Sequence, residues 1–440
     1  MSMDFPQSLI RRVSREDFKR LRRYTARITN LQYDVGTSIS SDTFDALSNP
    51  DTPFEWHLMW PELKTLSWLT SGENLKFMRY FLPHGVHNLE INLEGAPTDE
   101  ARKALSMVRV RCKNLREIRL FDRKMAEDED TQNTTRGIVC NNARTLRVFC
   151  SPRGSRSSLV DAVLKLPKLE MLEMHDPEIG MHDPETGLLH RAPLPSLERL
   201  VLTLEEAHDI PCLLGNIRES KLRTFVLRTP YPVSKEDLDD LTALFKRSDL
   251  YRSLNMLSWQ PPRNDQRPPT WEFVATLTPF VNMHTLVLSA RCDGTCRFRF
   301  RHEHVVELSR QMPQLRYLNF GGRPCANDSM STDIGFDTLT ELAHNCPDLS
   351  RLTVHFNPDR FIRPAGRVKP NRNVSHWDVG NAVLPADPMA PTLIAMWAAE
   401  LFPNAAIIGD MRADAPGWQW FFAEFAMLLA ASPICMPFGL

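Results

Sequence analysis

Four side chains in the stretch CDGTCRFRFRHEH, Cys292, Cys296, His302 and His304, are of the types that ligate zinc, and Cys325 follows them. Thiolates and imidazoles suit Zn²⁺, so a zinc-dependent enzyme is one reading of this cluster. Its spacing is irregular, however, and it occurs once, whereas structural zinc sites show tight paired knuckles. The expectation is that no metal is bound and that His302 and His304 sit at a loop-to-helix junction. Gly-x-Ser-x-Gly, His-Glu-x-x-His, Cys-x-x-Cys pairs, a Walker loop and Gly-x-Gly-x-x-Gly are all absent. The chain is therefore expected not to be an enzyme and to use no cofactor.

A second set of residues suits recognition rather than catalysis. Glu117, Arg119, Phe121, Arg147, Phe149, Glu173, Arg199, Arg228, Tyr317 and Arg351 all alternate with leucine-like residues in short repeated phrases. Glu90, Met171, His175, Val201, Val226, Met256 and Val287 hold equivalent places. Arg, Met and aromatic residues are enriched where proteins meet. The alternative is a ladder of charges that pair only with one another across strands.

What must position them is a repeat. The phrase is apolar, two variable residues, apolar, one variable residue, apolar. It reads Leu63, Leu66, Trp68, then Leu115, Ile118, Leu120, then Leu169, Leu172, Met174. It continues as Leu197, Leu200, Leu202; Leu222, Phe225, Leu227; Leu254, Leu257, Trp259; and Met283, Leu286, Leu288. Leu315, Leu318, Phe320 and Leu349, Leu352, Val354 complete the strong copies, and weaker ones begin at Ile28, Val86, Ala143, Val374 and Ala405. The 14 units fill residues 28–410 with a mean spacing of about 29.

Alternation at the last two apolar positions is the pattern of a half-buried strand. One unit cannot bury its own apolar side, so units must stack. Amphipathic segments lie between the phrases, at about 99–110, 155–166, 270–281, 302–312 and 333–345. Ser234 to Asp237 reads as a capping box, and Asp387-Pro388 as the start of a helix running toward Leu401. The fold expected is an α/β leucine-rich-repeat solenoid, a horseshoe with a parallel inner sheet and outer helices. Residues 1–27 are expected to form a helical cap, with Phe18 and Leu21 covering the first repeat, and 411–440 a C-terminal cap helix and apolar tail. The stretches 122–130, 177–193, 259–270 and 357–373 read as loops, the first acidic and the last basic. Cys112 and Cys346, just ahead of a phrase, read as core.

The run EDFKRLRRYTARI, Glu16 to Ile28, resembles the segment after the F-box in the F-box-like leucine-rich-repeat family expanded in mushroom-forming fungi. Trp377-Asp378-Val379 with Leu401-Phe402-Pro403-Asn404 is similar to the family's last repeats. That resemblance implies the substrate-recognition repeats of a ubiquitin-ligase receptor, with an unknown protein ligand on the concave face. In the family an N-terminal three-helix F-box docks on a Skp-type adaptor. Here 27 residues precede the first repeat, so adaptor docking is not expected of this chain.

Composition sets the remaining expectations. The chain has 440 residues, with 53 Lys and Arg against 54 Asp and Glu, a net charge of −1. A nucleic-acid or membrane-surface binder would carry a basic surplus. Nine scattered cysteines do not make a disulfide scaffold, and the N-terminus lacks a signal-peptide core. The expectation is an intracellular monomer, cytoplasmic or nuclear, bound neither to nucleic acid nor to membrane.

Overall fold

The alternation inside each phrase becomes a short parallel strand in the computed structural model of the chain. It describes residues 15–34, 59–70, 72–122, 128–177, 194–204, 221–229, 235–247, 249–260, 274–277, 279–288, 301–320, 334–354, 357, 368–380, 389–409, 421 and 423–428. These fall into two compact units, Met1–Leu202 and Thr203–Leu440.

In the first unit, β1 (Asn30–Tyr33), β2 (Thr65–Trp68), β3 (Asn88–Asn92), β4 (Glu117–Phe121), β5 (Val148–Arg153) and β6 (Met171–His175) pair in parallel in chain order. β7 (Arg199–Thr203) ends the unit and crosses its boundary. Leu66, Leu89, Ile118, Phe149 and Leu172 stand opposite one another in successive strands and form a continuous buried row. The backbone is tied at each step by one carbonyl that accepts two N–H groups. His87 O takes Arg116 N and Glu117 N, and Arg116 O takes Arg147 N and Val148 N, at 2.7–3.1 Å.

The helices of this unit are α1 (Arg15–Thr25), α2 (Thr98–Arg111), α3 (Glu129–Asn141) and α4 (Ser157–Leu164), with a 3-10 segment at Gly72–Tyr80. Ala101, Ala104, Leu105 and Val108 bury one face of α2, at the spacing that makes a single helical stripe.

In the second unit, β8 (Thr224–Arg228), β9 (Met256–Gln260), β10 (Thr285–Leu288), β11 (Tyr317–Asn319), β12 (Arg351–Thr353), β13 (His376–Gly380) and β14 (Ala406–Gly409) are again parallel and in chain order. Helices α5 (Lys235–Arg247), α6 (His302–Gln311), α7 (Phe336–Asn345) and α8 (Ala390–Leu401) alternate with them. The solenoid architecture read from the phrase is therefore observed in both units. Met312, Cys346 and Phe402 close α6, α7 and α8, each donating its N–H four residues back, and all are buried. Cys112 does the same for α2, so both cysteines are core, as read.

Several local readings need correction. The fifth phrase begins at Leu146, not Ala143. Its third apolar place is held by Ser151, which is buried and bonded to the Ser155 hydroxyl. A polar residue there hid the phrase, and the reading slid three residues back. The acidic stretch 122–130 is not all loop. Asp128 caps α3, and Glu129 and Asp130 form its first turn, where carboxylates meet the positive helix end. The helix expected over 270–281 shows only Val274 and Ala275 as helical among the described residues. α8 starts at Ala390, with Pro391 in its first turn. Ser234, Asp387 and Pro388 lie outside the described residues. Leu21 on α1 is 39% exposed, and Thr25 is the buried residue at that helix end. The side chain of Phe18 is outside the described set. So are most of 177–193, 259–270 and 357–373, and of the tail beyond Met427. Phe421 and Phe425 are buried with stacked rings 5.9 Å apart. Among the described residues, no helix is long and apolar enough to cross a membrane.

Candidate functional site

The face of the sheet opposite the buried row is set by strand register. In the first unit it carries one cross-strand row of Thr65, Asn88, Glu117, Val148 and Met171, and a second of Ser67, Glu90, Arg119, Cys150 and Glu173. Neighbouring strands lie about 4.8 Å apart, so these side chains stand close together without any loop to place them. Asn88 donates to Thr65 Oγ1 at 3.3 Å, and Arg119 Nε donates to Glu117 Oε1. Burial works against the Arg119 charge, but the Glu117 hydrogen bond and the nearby Cys150, Glu117 and Glu90 outweigh it and raise the guanidinium above its ordinary value. Glu173 holds His175 Nε2 at 3.4 Å and accepts from the Cys150 thiol at 3.7 Å.

Burial, reinforced by the Glu173 carboxylate, pushes the Cys150 thiol up to about 12. A thiol held protonated is a poor nucleophile at neutral pH. Three carboxylates (Glu90, Glu117, Glu173) share these two rows with one guanidinium. Phe121, at the end of β4, leaves 42% of its surface in solvent. The patch is mostly acidic and carries an exposed aromatic ring at its margin.

Of the sequence-derived residues, Glu117, Arg119, Phe121 and Glu173 meet on this face. Phe149 does not. It pairs with Ile118 and Leu172 in the buried row and is 0% exposed. Arg147 is displaced with it. It precedes β5, at the edge of the sheet, and bonds Glu170 at 2.8 Å. Val148 and Cys150 hold the places assigned to Arg147 and Phe149. The signal that would have found them was the Leu146-x-x-Phe149 spacing. Arg199 is exposed at the start of β7. In the second unit, Arg228 is half-buried at the end of β8, and Arg351 is exposed at the start of β12. Tyr317 is half-buried, its hydroxyl accepting from Asn319 at 3.0 Å. Val201, Val226 and Val287 were read as open-face residues but are buried, at 2%, 6% and 8% exposure.

The zinc-type residues divide. His302 Nδ1 lies 2.8 Å from Thr338 Oγ1 and 3.3 Å from Asp337 Oδ2, contacts that join α6 to α7. His304 Nδ1 accepts the Arg301 N–H at 3.4 Å, within the first turn of α6. Cys292, Cys296 and Cys325 lie outside the described residues. Among the described residues, no group of three or more His, Cys, Asp or Glu could hold a metal ion.

Two buried asparagines escaped the sequence reading. Asn142 donates to Cys112 O at 3.0 Å and Ile138 O at 2.9 Å, and accepts from Leu115 N at 2.8 Å. It thereby stitches one repeat to the one before it. Asn371 likewise donates to Ala343 O at 3.3 Å and Cys346 O at 3.0 Å.

No protein-family model matches the chain, and no curated protein does. Among solved structures it is similar to a chain in the crystal structure of the Rad7 and Elc1 complex in yeast. The TM-score is 0.46 at 14% identity, over 89% of this chain and 88% of that one.

Proposed function

We propose that this chain is a non-enzymatic protein-binding scaffold whose working surface is the open face of strands β3–β6. The observation that carries the reading is the pair of cross-strand rows, with exposed Phe121 beside them at the end of β4. Glu90, Glu117 and Glu173 outnumber Arg119 there, which favours a partner segment rich in cations and N–H donors. Phe121 supplies the aromatic contact on which binding energy concentrates. The resemblance to the fungal F-box-like repeat family supports a narrower role, the substrate-recognition half of a ubiquitin-ligase receptor.

The test starts from affinity capture with the purified chain and identification of the proteins that co-elute, ubiquitin-ligase subunits among them. The triple variant Glu90→Gln, Glu173→Gln and Phe121→Ala is then compared with wild type. It should keep its circular dichroism and melting temperature while losing capture by about tenfold or more. Wild-type capture by a folded triple variant would remove the face from consideration. Titration with a purified Skp-type adaptor tests the narrower role. We expect no binding by this chain alone, and micromolar affinity would instead assign it an adaptor-docking segment.

A further inference from the structure

The second unit carries a depression of about 430 Å³, lined by polar and charged residues, where the strands begin. Its lining is Lys221, Arg223, Arg252, Ser253, Asn255, Asn282, His284 and Gln314. Seven of these eight flank the first buried residue of four consecutive phrases. Lys221 and Arg223 bracket Leu222, Ser253 and Asn255 bracket Leu254, Asn282 and His284 bracket Met283, and Gln314 precedes Leu315; all four anchors are 0% exposed. The backbone between them is locked by the shared-carbonyl pattern. Arg223 O accepts from Asn255 N and Met256 N, and Asn255 O from His284 N and Thr285 N, at 2.8–3.0 Å. Arg223 and His284 thus stand about 10 Å apart, two strand spacings, on a rigid frame.

The lining holds three cations and no carboxylate. Asn282 Nδ2 donates to Arg252 O at 3.1 Å, which fixes that loop. His284 Nε2 bonds Gln314 Oε1 at 3.2 Å, so the Gln314 oxygen faces the ring and its amide nitrogen remains to donate. A cluster of N–H donors and positive charge suits a ligand that only accepts and carries more than one negative charge. A phosphoryl group has that form, with up to two charges and three acceptor oxygens that an Arg fork can take in pairs.

We propose that this depression binds a phosphoryl group, through Lys221 and Arg223 as the principal charges, with Asn255, Asn282, His284 and Gln314 completing its hydrogen bonds. The site is independent of the open face of the first unit. The group could arrive on a phosphorylated side chain or as a free phosphate, and the experiment separates the two.

Fluorescence anisotropy of a labelled Gly/Ser pentapeptide carrying one phosphoserine is titrated with the full chain. The same peptide without phosphate, inorganic phosphate as competitor, and a single-stranded oligonucleotide are run beside it. We expect the phosphopeptide to bind at least about tenfold more tightly than its unphosphorylated form, with affinity falling as salt rises. The double variant Lys221→Glu with Arg223→Glu should abolish that preference. The milder Arg223→Ala should weaken binding with an unchanged melting temperature, which keeps the test informative if the double variant misfolds. Arg147→Ala, at the matching edge position of the first unit, should leave binding intact. Displacement by inorganic phosphate at the phosphopeptide's own concentration range assigns a free phosphate. Displacement only at large excess assigns a phosphorylated side chain. Equal binding of the two peptides, unchanged binding by folded Arg223→Ala, or an oligonucleotide bound more tightly than the phosphopeptide would each overturn the proposal.

Discussion

Strand β4 of the first unit and strand β8 of the second are built on the same phrase. Both bury their core positions, Ile118 and Leu120 in one, Phe225 and Leu227 in the other. They differ at the residue between. In β4 that residue is Arg119, half-exposed in a polar row. In β8 it is Val226, buried on a face that the phrase alone would leave open. The sheet edge differs in the opposite sense. In the first unit Arg147 meets Glu170 across strands at 2.8 Å, so charge cancels locally. In the second, Arg223, Asn255 and His284 line up with no carboxylate in the depression they border. One scaffold thus offers two kinds of surface, an acidic patch on a strand face and a basic notch on a strand edge. The core rows that position them are equivalent.

The largest effect should come from that shared core. Phe149→Ala and Phe225→Ala remove equivalent buried rings, and each should cost about 3–5 kcal/mol in a denaturant melt. A loss below about 0.5 kcal/mol at Phe149 would restore the register that put it on the open face.

Next come changes that read the difference between the two faces. Val226→Asn places an amide at a buried position of the second unit and should cost about 1–3 kcal/mol. Glu90→Gln on the half-exposed face of the first unit should stay within about 0.5 kcal/mol. Equal costs would mean that Val226 is no more buried than Glu90. The buried asparagines sharpen the same contrast. Asn142→Ala orphans the Leu115 N–H and the Cys112 carbonyl and should cost about 1–3 kcal/mol. Asn371→Ala should cost less, because the N–H its Oδ1 accepts belongs to nearby Asn373 rather than to another repeat.

Helix starts provide a smaller effect with a pH signature. Asp128 caps α3, whereas α7 begins at Gly335 with no side chain to cap it. Burial alone would raise the Asp128 carboxyl. The Thr131 hydrogen bonds and the Arg102 guanidinium, 3.2 Å away, outweigh it and hold the carboxyl below its ordinary value. Its folded state therefore binds its proton less readily than the unfolded chain. The stabilisation is complete above the ordinary carboxylate range and is lost as pH falls through the lowered value. Asp128→Ala should cost about 0.5–2 kcal/mol at pH 7, and the gap to wild type should shrink below about pH 4. A small effect is also expected at Arg147→Ala, under about 1 kcal/mol, since both it and Glu170 are half in solvent.

Legibility followed how local each determinant is. The three-then-two spacing set the strands because every phrase carries its own alternation, and Leu66, Ile118, Leu172 and Leu318 are buried as read. Where one residue broke the alternation, as Ser151 did, the reading slipped. A buried serine is stable there because Ser155 bonds it, and that contact is not written in the phrase. α3 was missed for a related reason. Its sequence EDTQNTTRGIVCN is poor in strong helix formers, and the Asp128 cap and tertiary packing make up the difference.

By itself, then, the sequence determined the repeat, its parallel strands and the buried row, because periodic burial is a property of each short segment. Only the tertiary structure decided which positions between the core residues are open, which are covered, and which charges find a partner. Val226 and Arg119 occupy the same place in the phrase. What distinguishes them is the neighbours that strand pairing brings beside each, Glu90 and Cys150 beside Arg119 and Ser258 beside Val226.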